Sequence, residues 1–375
     1  YWTRLGAAGA VSVCLTGAAA LGLIAPTTRV NQQLLTVAAA VVAAGLNLFV
    51  LALLALLKPR LPAARWEALV VVALALDLIY ASLGLNPGAP AALYRAPTTT
   101  GPELQQALAG HRLFQYPDDE YRVRFTPFFS FLTYGPPELA QGARETQLAN
   151  VAGLEGVAAV NNFDPLVSAR LADVIQVISQ TRSVDLLLAL DVGAVASRAP
   201  LAWEVLARTP DLAGVEPVTF YRVPGEPRRA WVVYSAVEAA DPAEARGWLA
   251  EPGFDPAQTV ILEPSPPGQA GPASAPAPRP GDPNQASVTV TLERSGWLVL
   301  ADTYCPGWSA WVDGQPAAVR PANLAGRAVA VPAGTHQVLF HYQPETFRWG
   351  AALSLLGVGV WLAAALGSAL RLRPA

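Results

Sequence analysis

An uncharged apolar run at residues 349–370 constrains this chain more than any other feature. It is about 22 residues long and is closed by Arg371 and Arg373. A helix of that length suits the roughly 30 Å hydrocarbon core of a bilayer. Residues 297–346, directly before it, carry strand signals. Trp297, Val299, Val312, Val319, Val329, Val331, Val338 and Phe340 sit in short runs broken by Pro and Gly. Asp313-Gly314 predicts a two-residue hairpin turn, because Gly tolerates positive φ and Asp can bond its own backbone. Pro332-Ala333-Gly334 predicts a second turn. A small β-domain tied directly to a membrane helix is expected.

Further runs of the same kind lie near the start. Residues 5–25 and 34–57 are apolar and uncharged, and residues 68–85 hold a single charge, Asp77. Four spans are therefore expected. Only 14% of residues are charged, against about 25% in soluble domains. The net charge of −3 argues against a nucleic-acid partner, which needs a basic face. Arg4, Lys58, Arg60, Arg65, Arg371 and Arg373 fall on one side of such a membrane, opposite Arg29. The positive-inside rule places those six in the cytoplasm and the long segment from about 86 to 346 outside. With no Met in the chain and Tyr1 leading into an apolar run, a C-terminal portion of a longer protein is expected. The two cysteines, Cys14 and Cys305, are expected to be unpaired thiols.

The outer segment is large enough for its own core. Residues 102–108 and 166–179 predict helices, the latter from the spacing of Leu171, Val174, Ile175 and Ile178. Residues 121–125, 219–223 and 230–235 predict strands, and 185–190 with 192–195 a helix end or strand. Asp241-Pro242 with Glu244 predicts a helix start. Residues 263–283 are rich in Pro, Gly and Ala and predict an extended linker. The expected layout is thus three membrane helices over 1–85, an α/β domain over 86–262, a linker over 263–284, a β-sandwich over 285–346, and a last helix with a basic tail over 347–375.

Two patterns carry a family resemblance. Residues 298–314 read L-V-L-x-D-T-Y-x-P-G-W-x-A-x-V-D-G, and 327–344 read R-A-V-x-V-P-A-G-x-H-x-V-x-F-x-Y-x-P, followed by a helix. Together they resemble the C-terminal end of the YfhO family of bacterial membrane proteins. Asn161-Asn162-Phe163-Asp164-Pro165 also resembles a family segment in which Asp-Pro-Leu follows a small or aromatic residue. The resemblance implies a GT-C-type glycosyltransferase in the bacterial cytoplasmic membrane. Such an enzyme moves a sugar from a polyprenyl-phosphate carrier to an extracytoplasmic glycan acceptor and needs no cofactor. It also implies an acidic residue in the first outer loop. Residues 26–33 hold no Asp or Glu, so the catalytic acid is expected upstream of Tyr1.

Within the chain, Asp77, Asn162, Asp164, Asp302, Trp308 and Arg327 are the substrate-proximal candidates. A carboxylate inside a span costs about 2.5 kcal/mol or more unless it meets protein or water, so Asp77 is either a helix contact or part of a site. Asn162 and Asp164 equally suit a turn before a helix, with Asp164 as cap and Pro165 in the first turn. Aromatic faces stack on sugars and carboxylates bond hydroxyls, which singles out Asp302, Trp308, Trp311, Asp313 and Arg327. Each also has a structural reading: the turn explains Asp313, and Asp302 and Arg327 suit a buried pair. His111, His336 and His341 lack metal-ligand spacing. No P-loop or Ser-His-Asp arrangement is present. A membrane-anchored binding module is the non-enzymatic alternative. A transporter is disfavoured by the single intramembrane charge.

Overall fold

A computed structural model describes residues 29–82, 95–119, 137–161, 167–212, 215–265, 275–277 and 282–371. The expected span at 5–25, the expected strand at 121–125, Asn162, Asp164 and much of the Pro-rich stretch lie outside these residues. The chain divides into two units, Tyr1–Arg95 with Phe129–Pro137, and Ala96–Phe128 with Glu138–Ala375.

In the first unit, α1 (Arg29–Leu57) and α2 (Ala63–Ser82) are built from nearly unbroken Ala, Leu and Val. Pro59, which has no N–H to donate, lies in the short 3-10 turn Lys58–Arg60 where α1 stops. Arg60 Nη1 donates to the Leu56 carbonyl at 2.7 Å, satisfying one orphaned acceptor at the helix end. Trp66 Nε1 donates to Leu54 O at 2.9 Å, and the Lys58 ammonium lies 5.1 Å from the Trp66 ring centre. These contacts fasten α2 to the end of α1. Among the described residues, two segments are long and apolar enough to cross a membrane, Val41–Arg60 and Glu345–Gly367. Both expose large apolar side chains all round, such as Leu51 and Leu355, which in water would be costly and in lipid is not. The expected third span is helical, but α2 carries Arg65, Glu67 and Asp77.

The second unit begins with a layered α/β fold. Strands β1 (Arg112–Gln115), β2 (Val192–Ser197), β3 (Val205–Arg208) and β4 (Thr219–Arg222) order as β1-β2-β4-β3, with β1 and β2 parallel. Alternation sends Leu113, Ala194 and Ala196 to one layer, beside Leu104 and Leu108 of helix α3 (Thr100–Leu108). Phe114 and Val195 face the other layer, beside α5 (Ala169–Thr181) and α6 (Val184–Ala189), and Val192 joins them because the β1–β2 register shifts after it. Between them in the chain, α4 (Pro137–Glu145) ends in Glu145, which accepts from the Thr99 and Thr100 N–H groups at the start of α3. Burial raises the Glu145 pKa, but the Thr100 and Thr99 bonds outweigh it and hold the carboxyl below its ordinary value.

Ten further strands follow: β5 (Ala230–Val233), β6 (Ser235–Glu238), β7 (Thr259–Leu262), β8 (Gln285–Leu292), β9 (Gly296–Leu300), β10 (Trp308–Val312), β11 (Gln315–Ala317), β12 (Arg320–Ala322), β13 (Gly326–Val331) and β14 (Gly334–Tyr342). One sheet orders as β11-β10-β14-β8 and the other as β5-β9-β13-β12-β7-β6. Their facing side chains, among them Leu298, Val329, Ala310, Val338 and Phe340, form one core, so a β-sandwich is present. The expected strand 230–235 is two strands. They stand at opposite ends of the six-stranded order although only Tyr234 separates them, so the sheet curls until its edges meet there. Gly296 lets β9 approach: a Cβ on it would lie 2.8 Å from the Val233 carbonyl.

The division expected at 263–284 is crossed by this sheet. Strands β5 and β7 precede the Pro-rich stretch, yet they pair with β9 and β12 beyond it, and β6 joins the sheet through β7. Glu263, expected in the linker, is buried and bonded twice to Arg170 of α5, at 2.6 and 2.8 Å. Ser265 also belongs to the fold, donating to Val319 O at 3.1 Å. Helix α7 (Pro242–Ala250) joins parallel β6 and β7 and starts as the sequence implies. Asp241 accepts from the Ala243 and Glu244 N–H groups, and Glu244 reaches back to Ala240 N. After β14 the chain enters α8 (Glu345–Arg371), the C-terminal apolar helix.

The Asp313-Gly314 turn forms between β10 and β11 with positive φ at both residues, 49° and 79°. Asp313 Oδ1 accepts from Gln337 N at 2.8 Å, and Oδ2 lies 2.6 Å from His336 Nδ1. The His336 and Gln337 bonds hold the Asp313 carboxyl below its ordinary pKa, and the Asp313 bond holds His336 above its own. A raised group contributes stability that is lost as pH rises through its folded pKa, and a depressed one loses it as pH falls through its own. This contact is therefore complete between the two titrations. NMR titration of the His336 ring is expected to give a pKa above the ordinary value that falls back in Asp313→Asn. A His336 titration unaffected by Asp313→Asn contradicts the pairing.

Candidate functional site

Because β1 and β2 run parallel, Gln115 and Ser197 end at the same edge of the sheet. In open α/β sheets the crevice beyond the carboxyl ends of strands is the usual ligand position. Here a cleft of about 810 Å³ opens at that edge, lined by Tyr116, Asp118, Asp119, Arg182, Ser197, Ala199, Leu201 and Trp203. Tyr116 follows β1 directly and is almost fully buried, its ring edge-on to Phe114 at 5.2 Å. The Arg182 guanidinium lies 3.8 Å from the Tyr116 ring centre, a cation–π contact that orients an otherwise exposed side chain. Arg182 is placed there by the end of α5, where it takes the left-handed conformation (φ 55°) and donates its N–H to Ile178 O.

The strand tips are tied together across the cleft. Asp119 Oδ2 accepts from Ser197 Oγ at 3.3 Å and from Arg198 N at 3.4 Å. Asp118 is exposed and has no partner among the described residues. Leu201 and Trp203 are half-buried, packed on the same apolar core as Phe114 and Val195. The outer edge of β1 is already taken. Leu113 N donates to Ala158 O, Val160 N donates to Leu113 O, and the Asn161 side chain exchanges two bonds with the Gln115 backbone, at 2.7 and 2.9 Å. Asn161 is the last described residue before the segment that holds Asn162 and Asp164. None of the cleft residues was singled out from the sequence. Tyr116-Pro117-Asp118-Asp119 straight after a four-residue strand was the available signal, but a strand so short leaves no period to read.

Three of the sequence candidates do converge, at another place. Asp302, just past β9, receives Arg112 Nη2 at 2.5 Å, Arg327 Nη2 at 3.4 Å and Arg229 Nη2 at 3.5 Å. Arg327 is fully buried, with its guanidinium 3.6 Å from the Trp308 ring centre and 5.4 Å from that of Phe340. Burial pulls its pKa down to about 10, against the pull of Asp302 in the other direction. Arg112 also donates to the Leu190 and Ala301 carbonyls. The cluster thus bolts the α/β layers to the sandwich, and its aromatic face is covered by Arg327 itself. Trp308 and Trp311 fall on opposite faces of β10, as odd spacing requires, and Trp311 is buried as well. Asp77 sits half-exposed on α2.

Residues 275–354 match the model of the family described as bacterial membrane protein YfhO. The C-terminal part of this chain is a YfhO-family segment. No curated protein and no solved structure gives a significant match. The YfhO segment runs from before β8 into the first turns of α8, so it joins the sandwich to an apolar helix. Asp302, Trp308 and Arg327 lie inside it, while Arg112, Arg229 and the cleft lie outside.

Removing the Asp302 carboxylate leaves Arg327 buried without a counter-charge, which costs about 3–5 kcal/mol for pairs of this kind. Asp302→Ala is therefore expected to lower the unfolding midpoint markedly. Arg229→Ala, which removes an exposed partner, should change stability by about 0–1 kcal/mol. Circular-dichroism melting of the two variants checks this, and equal midpoints would contradict the bolt.

Proposed function

We propose that this chain is the C-terminal part of a multi-pass membrane glycosyltransferase that transfers a sugar from a polyprenyl-phosphate carrier to a cell-envelope glycan outside the membrane. The observation that carries the reading is the YfhO segment, in which a β-sandwich continues directly into an apolar helix. In this reading the chain crosses the membrane four times, with residues from about 86 to 346 outside, the side set by the six cytoplasmic basic residues. The outer unit shapes acceptor recognition, and the acid that activates the acceptor hydroxyl stands upstream of Tyr1. Asp77, Asn162 and Asp164 remain candidates for contact with the substrate. Asp302, Trp308 and Arg327 support the outer unit from within. A non-enzymatic binding module is the second reading, favoured by the lack of Asp or Glu in residues 26–33.

Membranes from cells expressing the native gene, given a radiolabelled polyprenyl-phosphate sugar, are expected to pass label to an envelope glycan. Deleting the gene should lower that transfer by at least about tenfold. Asp77→Asn, which keeps shape and removes charge, should insert normally and transfer less if Asp77 lies near the sugar. Equal labelling with and without the gene contradicts the transferase and leaves the binding module.

A further inference from the structure

We infer that the cleft beyond β1 and β2 is a binding site for an uncharged saccharide unit. Trp203 forms its apolar platform, and Asp118 and Arg182 are its hydroxyl partners. The inference deepens the transferase reading, since it places the acceptor glycan, and not the carrier phosphate, in this cleft.

The volume of about 810 Å³ lies in the range of small-molecule sites, roughly 300–1,000 Å³. Its walls differ in kind. Ala199, Leu201 and the half-buried Trp203 form an apolar side, and Asp118, Asp119, Arg182 and Ser197 a polar one. Sugars present the matching pair of surfaces, with C–H groups on the ring face and hydroxyls on the edge. An indole packs against the former. Hydroxyls both donate and accept, so a free carboxylate and a guanidinium serve them together. Both polar partners are prepared. Arg182 is oriented on the Tyr116 ring, and Asp118 is exposed with no partner among the described residues. Asp119 is engaged by Ser197 and Arg198 N, so it shapes the rim.

Other ligand classes fit less well. Two carboxylates against one guanidinium leave the lining net negative, which repels phosphates and anionic polymers. An extended peptide adding a strand needs a free sheet edge, and the edge of β1 is occupied by residues 158–161. An apolar anchor would meet three charged side chains at the rim.

Saturation-transfer NMR on the chain in detergent tests the assignment with cellobiose, maltose, lactose, N,N′-diacetylchitobiose and, as anionic probe, oligo(glycerol phosphate). At least one neutral disaccharide is expected to bind with Kd on the order of 1 mM. Trp203→Ala and Asp118→Asn should each weaken that binding by about tenfold or more. Asp118 is exposed, so its variant folds, and Trp203→Phe keeps a ring where Trp203→Ala loses stability. The assignment is overturned if no neutral sugar binds at about 10 mM, if all variants bind like the parent chain, or if only the anionic probe binds. Binding without carrier-dependent labelling would keep this site and remove the transferase; labelling without binding would do the reverse.

Discussion

The turn between β12 and β13 holds the second unit together. Asn323 and Leu324 both adopt left-handed backbone, with φ of 47° and 67°. A bulky residue such as Leu rarely does so, because Cβ crowds its own backbone. Two things offset the strain. Asn323 exchanges bonds with the Ile261 backbone on β7, its Oδ1 accepting at 2.9 Å and its N–H donating at 2.8 Å. Leu324 and Ala325 are buried in the apolar core of the α/β layers, among residues such as Val174 and Leu187. A turn that belongs to the sandwich by sequence is thus packed into the other half.

Charge placement follows from that contact. Arg170 of α5 reaches over to Glu263 and also donates to the Leu324 carbonyl at 3.0 Å, with the Tyr304 ring centre 5.6 Å away. The buried Glu263 carboxylate is acceptable because the partly exposed Arg170 guanidinium pairs with it in good geometry. Arg112 and Asp302 repeat the arrangement beside β1. Arg112 stands at the start of β1, so the Asp302 pair fastens β1–β2 at the end opposite the cleft.

Local features were legible in the sequence because their causes are local. The Asp313-Gly314 turn, the Asp241 cap and the apolar period of α5 each rest on residues within a few positions. The family resemblance of residues 298–344 was legible for the same reason, as an ordered string of turn and strand signals. The curled sheet was not. Pairing of β5 with β9 joins segments more than about 60 residues apart, and no short pattern in Ala230–Val233 shows that its partner lies beyond a Pro-rich stretch. The cleft stayed hidden on similar grounds. Tyr116, Arg182 and Trp203 meet only because β1 pairs with β2 in parallel and α5 ends above them. Asp302 and Arg327 were read as a pair, but Asp302 has two further arginine partners, Arg112 and Arg229, that stand far earlier in the chain.

The α/β layers and the sandwich form one cooperative unit, on which the cleft depends. Hydrogen-exchange mass spectrometry of the chain in a lipid nanodisc tests it most directly. Strands β2, β7, β9 and β13 are expected to open together with a common free energy, and Leu324→Ala to lower protection in all of them by a similar amount, about 2–5 kcal/mol. Loss of protection confined to β12 and β13, with β2 unchanged, would contradict it.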